Sequence, residues 1–196
     1  MRRINLMRII IASDIHGSAT YCRALVNVFE KSHADKLVLL GDILYHGPRN
    51  ELPGGYAPKD VITMLNSISG KILCVRGNCE AEVDQMVLDF PVMAEYALIP
   101  VEDRMMFVTH GHNFNEENVP PMAEGDILLN GHTHIPAVRE HEHYIYMNPG
   151  STSIPKEDSC NSFMLLDGGN FRWYSLEDAI DADGIEEIEP YMEYTL

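Results

Sequence analysis

The sequence predicts an α/β fold: a mixed sheet, or two packed sheets, with helices on the outside. Three observations predict it. Residues 8–76 alternate short apolar runs with amphipathic stretches in the order β-α-β-α-β, the pattern of parallel strands joined by right-handed crossovers. Residues 95–174 then carry six apolar runs separated by Gly, Pro and Asn, which reads as β-rich with little helix. The chain has 196 residues, 45% hydrophobic and 22% charged, an ordinary globular composition at the length of one domain.

The elements follow in order. Residues 8–13, RIIIAS, are a β-branched run expected to form a buried strand. Tyr21, Cys22, Leu25, Val28 and Phe29 fall at helical spacing and predict a helix over 19–32. Residues 36–40, KLVLL, predict a second strand. A long loop containing HGPRNELPGGYAP follows, and such loops in compact domains are functional or disordered. Residues 59–68 suit a helix and 71–76, KILCVR, a third strand. Runs at 95–99, 104–109, 126–130, 143–147, 162–166 and 170–174 predict the remaining strands. No repeat or linker divides the chain, so one domain is expected over 1–196, its core at about 8–175. From Glu177 on there are eight acidic residues and no basic one. That segment, 177–196, is expected to be a solvated tail or terminal helix.

Composition excludes several roles. The 14 Lys and Arg against 30 Asp and Glu leave a net charge of −16. Long nucleic acids and anionic membranes are therefore poor partners, since both are held by surplus Lys and Arg. No apolar run is long enough for a spanning helix. Arg2 and Arg3 resemble the start of a signal peptide, but Arg8 interrupts the apolar stretch and Asp14 ends it. Cys22, Cys74, Cys79 and Cys160 show no zinc or disulfide spacing. A cytoplasmic location is expected, with Met7 an alternative start.

The chemistry lies where the strands end. The first strand runs into Asp14-Ile15-His16-Gly17, the second into Gly41-Asp42, and the third into Gly77-Asn78-Cys79. Later strands run into Thr109-His110-Gly111-His112 and Gly131-His132-Thr133-His134. Ligands of α/β folds bind at the carboxyl ends of strands, so these five ends converge on one crevice. Asp14, His16, Asp42, Asn78, His110, His132 and His134 together offer two carboxylates, one amide oxygen and four imidazoles. One structural zinc takes four ligands, so this set suits two adjacent metals with a bridging carboxylate. Hard oxygen with imidazole, and no thiolate among these residues, selects divalent Mn, Fe, Zn, Co or Ni. Two divalent ions outweigh the two carboxylates and a bridging hydroxide, so an acidic protein still attracts phosphate there. Asn78 supplies oxygen without adding negative charge.

This series resembles the calcineurin-like metallophosphoesterase superfamily. The likeness tightens to its bacterial YfcE-type phosphodiesterase branch through His46-Gly47-Pro48-Arg49-Asn50, Gly55-Tyr56-Ala57-Pro58, Glu82-Val83-Asp84-Gln85-Met86 and Asn148-Pro149-Gly150-Ser151. It spans roughly residues 8–175. It implies a four-layer αββα sandwich. It also implies one metal on Asp14, His16 and His134, a second on Asn78, His110 and His132, and Asp42 between them. Manganese is the ion with which the family is commonly active, on phosphate mono- or diesters. The expected reaction is hydrolysis of a small phosphodiester, a metal-bridging hydroxide attacking phosphorus in line with the leaving oxygen. A phosphomonoesterase or cyclic-nucleotide phosphodiesterase would share this site. So would a nuclease, which usually carries basic surfaces and extra domains. A protein-interaction scaffold would show missing ligands, and all seven are present.

Asp42, Asn78 and Cys79 are the expected catalytic residues. Many relatives carry His where Cys79 stands, as YfcE-type members do not. A thiol has no cationic form, so substrates with acidic leaving groups are favoured. Arg49 and His46 are candidates to meet substrate. His112 is expected behind the metal ligands, Ser151 as a tie for the Asn-Pro-Gly turn, and Cys74 and Trp173 as core. His33, His141 and His143 read as surface residues. Family habit and apolar loop residues point to a homodimer or homotetramer.

Overall fold

The structure is a computed structural model that describes residues 7–196. The arginines at positions 2 and 3 lie outside the described residues.

Strand β1 (Arg8–Ala12), helix α1 (Ala19–Lys31), β2 (Lys36–Leu39), α2 (Pro58–Ser67) and β3 (Ile72–Cys74) form the expected β-α-β-α-β unit. β1 pairs parallel with β2, and β2 with β3. A one-turn helix, α3 (Glu82–Gln85), follows. β4 (Ala97–Val101), β5 (Arg104–Val108), β6 (Asp126–Leu129), β7 (Pro136–Glu140) and β8 (Tyr144–Pro149) build a second sheet in the order β4-β5-β6-β8-β7. β9 (Ser162–Asp167) and β10 (Asn170–Ser175) return to the first sheet, beside β1. A short helix α4 (Leu176–Ala179) and the strand β11 (Met192–Thr195) close the chain, giving a first sheet β11-β10-β9-β1-β2-β3.

Two-residue periodicity explains the layers, because alternate side chains leave opposite faces of a strand. Ile10 and Ala12 of β1, Leu37 and Leu39 of β2, and Phe163 and Leu165 of β9 face α1, α2 and α4. Their neighbours Ile9, Ile11, Val38, Met164 and Leu166 face the second sheet, where they meet Met106, Val108, Ile127 and Leu129. Trp173 is fully buried in that inter-sheet core, and its indole N–H donates to the Asn148 carbonyl at 2.7 Å. It thereby ties β10 to β8 across the two sheets. The outer face of the second sheet buries Phe107, Leu128, Ala137 and Tyr146 under Phe114 and Met122. Those come from the segment after β5, which has no helix, so the fourth layer is built largely of loop.

Two strands went unread in the sequence, and both are sheet edges. β7 is half exposed and carries Arg139 and Glu140, so it has no continuous apolar run. β11 corrects the expectation of a solvated acidic tail: it pairs antiparallel with β10 through Asn170–Thr195, Phe171–Tyr194, Arg172–Glu193 and Trp173–Met192. Ile185 is buried against the helices, and Glu186 meets Arg8 at 2.7 Å. Backbone pairing is indifferent to side-chain charge, so an acidic strand completes the sheet once its alternate apolar residues find cover. His141 is exposed, as expected of a surface residue, and there it lies 2.8 Å from Glu116 and stacks on Tyr144. No helix among the described residues is long and apolar enough to cross a membrane.

Deleting residues 184–196 should lower unfolding free energy by about 2 kcal/mol or more, since burying one Ile side chain alone contributes roughly 1.5–3. Urea denaturation of the two chains measures it. Equal stability would mean that the segment is a dispensable tail.

Candidate metal centre

β1, β2 and β3 end at the same edge of the first sheet, and β5 and β6 end beside them in the second. Each then turns within one or two residues. Asp14, His16, Asp42, His132 and His134 all take positive φ, between 47° and 64°. Non-glycine residues rarely occupy that region, and clusters of them mark functional sites. The turns hold one another in place. Asp14 N–H donates to the Gly41 carbonyl at 3.2 Å, His16 N–H to Asp42 at 2.8 Å, and Gly131 N–H to His110 at 2.8 Å. Gly77 must be glycine because its backbone passes against Asp42: a Cβ would collide with Oδ1 and lie 2.6 Å from the amide nitrogen.

The seven expected donors come together. Asp14 and Asp42 are buried, as are His16, His110 and His134. His132 and Cys79 are half-buried, and Asn78 is exposed towards the cleft. Asp14 Oδ1 lies 3.5 Å from His16 Nε2 and 3.3 Å from His134 Nε2, and these nitrogens are 3.4 Å apart. On the other side, His110 Nε2 lies 3.1 Å from Asn78 Oδ1 and 3.2 Å from His132 Nδ1. Asp42 Oδ2 sits between, 3.7 Å from His16 Nε2 and 3.6 Å from His110 Nε2.

The tautomers follow from the carbonyls behind the rings. Nδ1 of His16 faces the Tyr45 carbonyl at 2.7 Å, His110 that of Leu40 at 2.6 Å, and His134 that of Ile154 at 2.6 Å. A carbonyl only accepts, so each Nδ1 carries the proton and donates it. Each Nε2 then presents a lone pair inward, the usual arrangement behind a metal-ligating imidazole. Asp14 Oδ1 is buried with no hydrogen-bond donor, while Oδ2 accepts the His132 N–H at 3.1 Å. Lone pairs and a carboxylate oxygen aimed at one another at 3.1–3.7 Å fit donors sharing a divalent ion. First-row ions bind N and O at about 2.0–2.2 Å, which sets donors this far apart. Three-residue groups within 4.8 Å of one another include Asp14-His16-His134 and Asp14-Asp42-His110.

The buried carboxylates call for positive charge: burial pushes the His16 imidazole down, but Asp14, the Tyr45 carbonyl and Asp42 push it up on balance. Burial opposes ionisation of Asp14, yet His134, His16 and His110 together hold its carboxyl well below the usual carboxylate range. Burial, with His110 nearby, pushes His132 down to about 4, so its imidazole is a neutral donor at neutral pH. Burial first, then Asp42, pushes the Cys79 thiol up. Cys79 N–H donates to Asp42 Oδ1 at 2.9 Å, and its Sγ accepts from Asn78 Nδ2 at 3.2 Å.

A cleft of about 370 Å³ opens over the cluster, lined by Asp42, Asn78, Cys79, His132 and His134. Its outer wall is Gly47, Pro48, Arg49, Asn50 and Lys156. Arg49 thus lines the cleft. His46 does not line the cleft: its ring packs edge-on between Tyr45 and Tyr56. His112 packs beside His110 with centroids 5.4 Å apart and makes no hydrogen bond through Nδ1. Ser151 Oγ donates to the Asp14 carbonyl at 3.1 Å and accepts from Ile154 N–H at 2.9 Å, which ties the Asn-Pro-Gly turn to the site. Asn148 Nδ2 donates to the Gly131 carbonyl at 2.8 Å, bracing the turn before His132.

Sequence reasoning missed Glu80 and Lys156. Glu80 is buried and accepts the N–H groups of Asp42, Ile43 and Gly77 at 2.8, 2.7 and 2.5 Å. It staples the turn after β2 to the turn after β3. Burial and Asp42 push its carboxyl up, and the three amide bonds pull it back. Glu80→Gln would set an amide N–H₂ against backbone N–H donors. A stability loss of about 1–3 kcal/mol is expected, with metal affinity lower by roughly 10–100-fold. Thermal unfolding and metal titration measure the two. Wild-type values in both would remove the staple role.

Residues 7–170 match the family model for the calcineurin-like phosphoesterase superfamily domain. The chain is 44% identical over 173 residues to phosphodiesterase YfcE of Escherichia coli K12, covering 88% of this chain and 94% of that one. The solved structure of E. coli YfcE, described as a phosphoesterase, superposes with a TM-score of 0.88 at 40% identity, covering 96% of this chain and 99% of that one. Vacuolar protein sorting 29 from Cryptosporidium parvum shares the fold at a TM-score of 0.54 and 19% identity, over 86% of this chain and 90% of that one. The chain thus belongs to the calcineurin-like phosphoesterase superfamily and is a metal-dependent phosphoesterase.

Proposed function

We propose that this protein is a dimetal phosphodiesterase acting on small phosphodiesters. The observation that carries the reading is Asp42 Oδ2, nearly equidistant from His16 Nε2 at 3.7 Å and His110 Nε2 at 3.6 Å. One carboxylate oxygen stands between two donor sets. In this reading Asp14, His16 and His134 hold one divalent ion, and Asn78, His110 and His132 hold another. Asp42 is shared. Manganese is the proposed ion; Fe, Zn, Co and Ni suit the same donors. When bound, such a pair acidifies water and neutralises charge on phosphoryl oxygens. The likeness to YfcE, a phosphodiesterase, supports the diester as substrate.

The chain's own residues supply the rest. The Tyr45, Leu40 and Ile154 carbonyls hold the Nδ1 of three rings and leave each Nε2 facing inward. Asn78 adds an oxygen without repelling an anion. Arg49 on the outer wall meets substrate oxygens. Cys79 keeps its proton, and Asn78 and Asp42 engage it, so it is a poor acid for a departing alkoxide. Leaving groups that depart without a proton are then favoured. We place the enzyme in the cytoplasm, supported by four free thiols. A homodimer or homotetramer is proposed with it, supported by the exposed Tyr96 and Leu98.

Hydrolysis of an aryl phosphodiester and its matching monoester tests the reading. Chelation should abolish turnover and manganese restore it, with the diester the better substrate. Asn78→Ala and His132→Ala should each lower kcat/KM by about 100-fold or more, beyond what loss of an outer partner does. Metal-independent turnover would sink the proposal. Aryl diesters should also exceed alkyl diesters in kcat/KM by more than their intrinsic reactivity. A ratio no larger than the uncatalysed one would remove the role given to Cys79.

A further inference from the structure

The cleft is larger and more polar than a single phosphate requires. A volume of about 370 Å³ lies within the range of sites for small organic ligands. Beyond the metal-centre residues its wall is Gly47, Pro48, Arg49, Asn50 and Lys156. Of these only Pro48 is an apolar residue, so the wall is mainly polar. Two cations are present instead, in a chain of net charge −16.

Both cations are left to face the cleft. Among the described residues, Arg49 and Lys156 make no ion pair; Arg23, Lys31, Lys36, Lys59 and Lys71 also make none, but of these seven cations only Arg49 and Lys156 line the cleft. Their acidic chain neighbours Glu51, Glu157 and Asp158 are exposed and do not line the cleft. Both also sit on ordered turns. Asn50 Nδ2 donates to the His46 carbonyl at 2.8 Å, closing the turn that presents Arg49. Lys156 N–H donates to the His134 carbonyl at 3.3 Å, and its own carbonyl accepts from Ser159 Oγ at 2.6 Å. Lys156 is thus anchored to the backbone of a metal-centre residue.

We infer that Arg49 and Lys156 form a second anion subsite, and that the substrate is a phosphodiester bearing a further anionic group on one arm. The inference rests on the phosphodiesterase reading. The scissile phosphate lies over Asp42, Asn78, His132 and His134, and the distal phosphate or carboxylate lies against the two cations. A guanidinium and an ammonium recognise an anion by charge-assisted hydrogen bonds without apolar contact.

The test uses manganese-loaded protein and two esters that differ by one phosphate. These are thymidine 5′-(4-nitrophenyl phosphate) and its 3′-phosphorylated form, which share leaving group and nucleoside. The 3′-phosphate should lower KM by about tenfold, a typical effect of charge-assisted hydrogen bonds. That advantage should fall to about twofold or less in Lys156→Ala and Arg49→Ala and persist in Lys156→Arg. Calorimetry with thymidine 3′,5′-bisphosphate and thymidine 5′-monophosphate supplies a reading independent of turnover, with the same preference expected. Turnover of both esters with equal KM, or a preference unchanged in both alanine variants, overturns the subsite and leaves the phosphodiesterase reading intact. A bisphosphate preference lost in the variants, without turnover of either ester, supports the subsite and contradicts the diesterase reading. Equal affinity for the two nucleotides overturns the subsite whether or not the esters turn over.

Discussion

Two buried carboxylates, Asp14 and Asp42, face the imidazoles of His16, His110 and His134, and among the described residues neither pairs with Lys or Arg. A buried charge must be compensated where it lies. Here the compensation depends on which ring nitrogens carry protons. Backbone carbonyls settle that for His16, His110 and His134 by accepting from Nδ1. Lone pairs then converge with carboxylate oxygens. The donor set suits divalent cations, and much of the neighbouring structure keeps these atoms in register.

The fold bears strain to do so. Five of the seven donor residues sit in the left-handed region, which costs on the order of 1 kcal/mol or more for each. The buried faces of β1, β2, β5 and β6 hold the strand ends firmly enough to keep the turns in that state. Glu80 adds three amide bonds between two of those turns. Gly77 allows the third strand's turn to press directly on Asp42. Stability invested in the two cores is drawn on at the one edge where chemistry takes place.

Much of this was legible in the sequence because the site is built of short local signals. An apolar run followed by a ligand-type residue with Gly close by names both a strand and its end, and five such signals coincide. The layered core was legible through two-residue alternation in runs such as RIIIAS and KLVLL. Other features depend on partners remote in the chain. Glu80 lies beside a recognised motif, but its three partners are backbone amides that no side-chain pattern reveals. Lys156 reaches the cleft through the turn after β8, far from Arg49. His46 sits in a loop motif and turns its ring towards Tyr45 and Tyr56. β11 is an edge strand whose acids hid its alternation, and His141 meets Glu116 across 25 residues.

The most direct test of the proposed two-ion centre is diffraction from manganese-soaked crystals at the manganese absorption edge. Two anomalous peaks per chain are predicted, one among Asp14, His16 and His134 and one among Asn78, His110 and His132, with Asp42 touching both. A single peak, or a pair that Asp42 does not share, would contradict the account.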